Sequence, residues 1–174
     1  MPSCELSGRS SQYTLSPAVV CALNESGSAD DQTLLDMHLG WHRRTHARVL
    51  GVEFVAGEPL CGIRRSGWSN YRCGSVITVL VGGCSRYALV KDFIERVDGL
   101  GDAFAVVEWL SVPSYPYHPN PVVVRLRDDD MCPVLPCLVS IFDIDPCGVC
   151  LSRCEGESCW YVYRTRGIDT VGDF

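Results

Sequence analysis

The feature that most constrains the fold is a series of short, strand-like segments between Ser75 and Asp169. They are rich in Val, Ile and aromatic residues, and turn-forming residues separate them. No helical crossover of a dozen residues lies between them, as a parallel sheet would require. We therefore predict a mainly β fold, an irregular antiparallel β-barrel with one or two short helices and a flexible N-terminal tail. The segments are Val76–Val81, Tyr87–Val90, Phe104–Leu110, Val122–Leu126, Leu138–Asp145 and Trp160–Tyr163.

Local patterns support the antiparallel arrangement. In Phe104–Leu110, alternate residues are expected to face opposite sides of a half-buried strand, with Ala105, Val107 and Trp109 on one face. The Gly82-Gly83 pair fits a turn with positive φ. The segment Asp98–Asp102 fits a hairpin that joins the strand ending at Val97 to the next strand.

The N-terminal part has a different composition. Residues 1–32 are rich in Ser and other polar residues, which predicts a flexible tail. Residues 33–48 form the only long helical pattern, with Thr33 or Asp31 as its cap. We predict that residues 33–72 form a helix-and-strand extension and that residues 73–174 form the barrel.

Composition narrows the function classes. A chain of 174 residues with 47% hydrophobic residues can bury a core. Its net charge of −6 disfavours binding to naked nucleic acid, which needs a basic face, and suits a basic peptide or histone tail. No apolar run is long enough to span a membrane. No secretory signal is visible, which predicts a nuclear or cytoplasmic protein with reduced thiols.

Eleven cysteines raise the question of a metal site. The favoured interpretation is reduced thiols in the core and no cofactor. The alternative is a structural zinc site in which Cys132 or Cys137 could replace a ligand. The proposed ligands have the spacing C-x2-C-x3-C-x4-C and are Cys147, Cys150, Cys154 and Cys159.

Three histidines, His38, His42 and His46, recur at every fourth residue. On a helix they would share a face and could chelate a metal. However, Leu39 stands where a metalloprotease would have Glu, and Arg43 is adjacent. A solvated basic helix face is the favoured interpretation.

A proline-braced aromatic loop is the main candidate binding feature. Rings grouped as a cage attract methylated ammonium groups through their quadrupoles. The alternative is that Trp109 belongs to the core and that the tyrosines cover an edge. No nucleophile elbow, Walker loop or dinucleotide motif is present, which predicts a protein that is not an enzyme. The predicted ligand-binding residues are Trp109, Tyr115, Tyr117, Phe142 and Asp143.

The segment from Gly74 to Gly167 resembles the bromo-adjacent homology (BAH) domain, including BAH-like regions of transposon-derived proteins. The resemblance rests on the strand that leads into Arg86–Ile94, on Val106–Pro113 with its aromatic and proline, and on Leu138–Val149. It implies an irregular β-barrel that mediates protein contacts in chromatin, in some cases by binding methylated histone lysine. We therefore predict a non-enzymatic protein-interaction module in the nucleus. A small zinc-stabilised structural protein is the alternative.

Overall fold

The protein is described by a computed structural model that covers residues 4–25, 40–57, 76–97, 103–115, 121–126, 135–146, 148–153 and 159–165. Within these ranges the fold is mainly β, which confirms the predicted class, and all paired strands are antiparallel. The elements in chain order are β1 (Cys4–Gln12), α1 (Pro17–Glu25), β2 (Trp41–Val49), β3 (Val52–Val55), β4 (Val76–Val81), β5 (Cys84–Arg96), β6 (Ala103–Trp109), β7 (Val122–Val124), β8 (Leu138–Ser140), a 3-10 helix (Ile141–Asp143), β9 (Gly148–Arg153) and β10 (Cys159–Thr165).

Among the residues that the structure describes, the strands form two sheets that do not close into a barrel, so the predicted barrel is wrong although the mainly β class holds. The larger sheet has the order β1-β2-β5-β6-β8, with β3 paired to β2 and β4 paired to β5. The smaller sheet has the order β7-β10-β9. Closing the larger sheet would require β4 to pair along β8. Instead, a single bridge joins Val79 to Ile144, which lies beyond β8 and its 3-10 helix.

A bulge in β5 changes which face each residue presents. Val90 pairs with Val107 and Asp92 pairs with Val106, so Lys91 is an extra residue in the strand. A bulge interrupts the two-residue alternation. Before it, Val90 packs in the central core, and after it the odd-numbered Phe93 packs in that same core. One 13-residue strand therefore contributes to several packing layers.

Three clusters of buried side chains hold the described part of the chain together. The largest covers one face of the main sheet and contains Ala105, Val107 and Trp109, which confirms the alternation predicted for β6. The second lies under α1, where Trp41 and Phe104 meet with their ring centroids 6.1 Å apart. The third joins the main sheet to the smaller sheet.

The N-terminal segment differs from the predicted flexible tail. Over residues 4–25, β1 pairs along β2, and α1 buries Val19, Ala22 and Leu23. Strand β1 is polar and largely exposed, so backbone pairing rather than burial of its side chains fixes it.

The helix predicted over residues 33–48 is wrong in its described part. Residues 41–48 belong to β2, which pairs with β1, β3 and β5. Residues 33–39, and residues 58–72 of the predicted helix-and-strand extension, lie outside the described ranges.

The predicted Gly82-Gly83 turn is confirmed, whereas residues 98–102, predicted as the second turn, lie outside the described ranges. Val81 pairs with Cys84 around Gly82 and Gly83, whose φ angles are 57° and 82°. Positive φ at both central residues is typical of the tight turn that matches strand twist. Strands β5 and β6 pair antiparallel as the predicted hairpin requires.

Candidate binding cleft

The place where the main sheet fails to close forms a cleft between β4 and β8. One cavity of about 500 Å³ opens there, and a second of about 520 Å³ adjoins it and shares Val79, Leu80 and Asp143. We call the two together the seam cleft. Its described lining is Ala22, Glu25, Val79–Gly82, Phe104, Trp109, Leu135, Pro136, Leu138–Ser140 and Phe142–Pro146. Each volume falls within the range of ligand pockets in proteins.

Local structure after β8 explains why the seam stays open. The strand is only three residues long, and the chain turns at once into the 3-10 helix, whose first residues are capped by Ser140 Oγ accepting from Phe142 N at 3.4 Å. The chain then returns to β4, where Asp145 N donates to Thr78 O at 2.9 Å. The two walls are therefore tied together at one end and separated at the other.

The cleft has an apolar surface with acidic residues at its border. Leu80 and Phe142 are 64% and 62% exposed, which is unusual for large apolar side chains that lie close together. Glu25, Asp143 and Asp145 also line it, and its described lining contains no Lys, Arg or His. The arrangement suits a ligand that combines an apolar anchor with positive charge.

Three of the five predicted ligand-binding residues line the seam cleft. Trp109 is only 5% exposed, and its Nε1 donates to Pro136 O at 2.8 Å, so the indole forms part of the floor. Phe142 and Asp143 lie at the border. Tyr115 is 66% exposed but is not among the described lining residues, and Tyr117 lies outside the described ranges.

Neither Leu80 nor Glu25 is among the binding residues predicted from the sequence. Leu80 stands in the segment Val76–Val81, which is apolar except for Thr78, and nothing in it marks an exposed member. Glu25 belongs to a segment predicted to be a tail. Only the long-range pairing of β4, β5, β6 and β8 brings these residues together.

The proposed zinc ligands fall mostly outside the described residues. Cys147 and Cys154 are not described, and Cys150 is described only through its backbone in β9. Cys159 is buried. The described residues contain no group of three or more His, Cys, Asp or Glu that could hold a metal. Zinc binding by this set stays a prediction.

Two further cysteines and three histidines were considered as metal ligands. Cys132 is not described, whereas burial raises the pKa of the Cys137 thiol and keeps it protonated. His42 and His46 lie on β2, and His38 is outside the described ranges. His46 Nε2 lies 3.6 Å from a carboxylate oxygen of Glu53.

The basic residues of β2 face acids from neighbouring strands. Arg43 Nε lies 2.8 Å from Asp92 Oδ1, and Arg44 Nε lies 2.7 Å from Glu95 Oε1. Arg48 Nη1 lies 3.9 Å from Glu5 Oε1. Exposed pairs of this kind add little stability. They do, however, offset the positive charge of the strand.

A further charged group lies on β5 and β6. Lys91 Nζ lies 3.0 Å from one carboxylate oxygen of Glu108. Arg125 Nε lies 3.2 Å from the other. Both carboxylate oxygens of Glu108 are thus engaged in ion pairs.

Comparison with known proteins adds no relative. No protein family, curated protein or solved structure matches this chain significantly. The resemblance to the BAH domain therefore stays a prediction. Within the described ranges, no helix combines the length and the apolar character needed to cross a membrane.

Proposed function

We propose that the protein is a non-enzymatic interaction module whose seam cleft binds a basic segment of a protein partner. The single observation that carries the proposal is the exposure of Leu80 and Phe142 beside a cleft bordered by acidic residues. Large apolar side chains that stay exposed together favour a partner that covers them. The carboxylates of Glu25 and Asp143 favour positive charge in that partner.

The distribution of charge elsewhere supports the same assignment. The cations of β2 face acids, and the whole chain carries a net charge of −6. Acidic surfaces accelerate association with basic partners and select against acidic ones. A Lys- or Arg-rich peptide, such as a histone tail, has the matching chemistry.

The narrower proposal of a methyl-lysine reader in the nucleus rests on the BAH resemblance and on rings that could surround an ammonium group. In that version Tyr115 and Tyr117 would join Phe142. The packing of Trp109 in the core favours a plain apolar floor instead.

A peptide array tests the proposal. Purified protein is applied to basic peptides, including histone tails in unmethylated and methylated forms, and hits are quantified in solution. We expect micromolar or tighter binding that weakens with added salt, because screening reduces the attraction between exposed charges. An array without hits would overturn the proposal.

Matched variants locate the site. Leu80→Ser and Phe142→Ala should each weaken binding by about tenfold or more, which corresponds to about 1.4 kcal/mol. Val112→Ser is the control, because Val112 is 67% exposed and does not line the cleft. Tyr115→Ala tests the reader version, since a cage predicts loss of methyl-lysine preference. If all four variants bind the peptide as tightly as the wild type does, the cleft is excluded as the binding site.

A further inference from the structure

We infer that the partner segment binds in an extended conformation and adds as a strand to the outer edge of β8. This inference rests on the proposed function and specifies how the seam cleft recognises the partner. Its basis is the direction in which backbone groups point along the two strands that border the opening.

On β8, the even-numbered residues direct their backbone groups toward the seam. Val107 N donates to Cys137 O at 2.8 Å, just before the strand begins. In an antiparallel pair, residues alternate between those bonded to the neighbour and those directed away. Val139 therefore bonds toward β6, whereas Leu138 directs its N–H and C=O, and Ser140 its N–H, to the other side. The C=O of Ser140 begins the 3-10 helix. Within the described ranges, β6 is the only strand that pairs with β8.

On β4, the facing edge has the same kind of exposure. Thr78 O accepts from Asp145 N, so the even-numbered residues of β4 point away from β5. Leu80 is the next such residue and follows the bridge between Val79 and Ile144. The cleft thus has strand edges on both sides and an apolar floor between them. Exposed strand edges are ready templates for an added strand.

The side chains of the cleft specify what the added strand should carry. Alternate residues of a strand point to opposite faces, so one set would lie on the face of the sheet that carries Trp109, and the other set on the opposite face, where Phe104 packs beneath α1. Asp143 and Glu25 border the same cavity and would attract a basic side chain. The expected occupant is a segment of about four to six residues that alternates apolar with polar or basic residues.

An N-methyl scan of the tightest peptide from the array tests this mode. Each residue of the peptide is methylated in turn on its backbone nitrogen, which removes one donor and leaves the side chain in place. We expect losses of about tenfold or more at alternate positions, where the N–H faces β8, and losses below about threefold at the positions between them. This approach requires no variant of the protein and so avoids effects on folding.

The outcomes separate the inference from the function on which it depends. Binding that is sensitive to Leu80→Ser but shows no two-residue period in the scan would keep the docking function and overturn strand addition. A period of three to four residues would indicate a helical ligand and would also overturn it. Hydrogen exchange adds an independent measurement, because the amides of Leu138 and Ser140 should exchange more slowly when the peptide is bound. Unchanged exchange at both would contradict the inference.

Discussion

The guanidinium of Arg43 contacts two groups at once, with its Nε 2.8 Å from Asp92 Oδ1 and its Cζ 5.3 Å from the centroid of the Tyr13 ring. These three residues come from β2, from the bulge of β5 and from the loop after β1. Burial raises the pKa of Asp92 above its ordinary value of 3.8, and Arg43 and Lys91 oppose that rise only in part. Burial also raises the pKa of Tyr13, and the nearby Asp92 adds to the effect.

The raised pKa of Asp92 predicts a pH dependence of stability. The folded protein holds the proton more tightly than the unfolded chain, so this contribution is fully present below the ordinary Asp pKa and is lost as the pH rises through the folded pKa. Relative to Asp92→Asn, the wild type should therefore lose free energy of unfolding as the pH rises from below 3.8 toward neutrality. Urea unfolding over that range measures it, and parallel curves for the two proteins would contradict the assignment.

Arg43→Gln serves as the matched variant for that experiment. Arg43 lowers the pKa of Asp92, so its removal should shift the loss of stability to higher pH. An unchanged pH dependence would show that Arg43 does not act on this carboxyl group, and a shift to lower pH would contradict the direction of its effect.

The packing of α1 predicts that the N-terminal segment is essential for stability. Leu23 is fully buried in the cluster beneath α1. Leu23→Ala should lower the free energy of unfolding by about 2–5 kcal/mol, the usual cost of a core truncation. Asn24→Ala, on the exposed side of the same helix, should change it by less than about 0.5 kcal/mol. Equal, small effects would indicate that α1 does not pack on the sheet in solution.

The turn between β4 and β5 predicts different tolerance for two substitutions. Neither Gly82 nor Gly83 has a neighbouring atom within 4 Å of an added Cβ, so backbone conformation alone decides the cost. Gly83→Ala should lower stability by about 1–2 kcal/mol, since alanine is strained at positive φ. Gly82→Asn should be closer to neutral, because asparagine tolerates this region. Thermal unfolding of both variants measures the difference, and a neutral Gly83→Ala would contradict the turn.

We expect the indole of Trp109 to stabilise the fold rather than to form part of a methyl-lysine cage. Trp109→Phe removes the donor to Pro136 O and part of the ring, and should lower the free energy of unfolding by about 1–3 kcal/mol. Tyr115→Phe, at an exposed position, should change it by less than about 0.5 kcal/mol. Wild-type stability of Trp109→Phe together with lost peptide binding would assign the indole to the ligand site instead.

Local sequence predicted those parts of the fold that depend on neighbouring residues. Alternation in β6 and the Gly82-Gly83 turn are local signals, and both were predicted correctly. The helix predicted in place of β2 was wrong because a spacing of four residues fits one helical turn and also two strand repeats, so His42 and His46 fit both. Pairing with β1, β3 and β5 decided between them.

The remaining differences between the predicted and the observed structure arise from contacts between segments that are distant in the sequence. Most side chains of β1 are exposed, so its sequence shows no alternation of apolar and polar residues. Backbone pairing with β2 is what makes this segment a strand. The seam cleft depends on where β8 stops and the chain turns back to Val79. Trp109 and Phe142 were singled out as aromatics, but their separation into floor and border follows from burial that only the assembled sheet provides.

The bulge in β5 also has a chemical consequence. Lys91, the residue that it inserts, is the only lysine of the chain. Acylating reagents, amine cross-linkers and enzymes that conjugate to lysine therefore have Lys91 as their one side-chain amine. Attachment there would remove the ammonium group from Glu108. Labelling at Lys91 would thus report on the middle of the long strand and on no other part of the molecule.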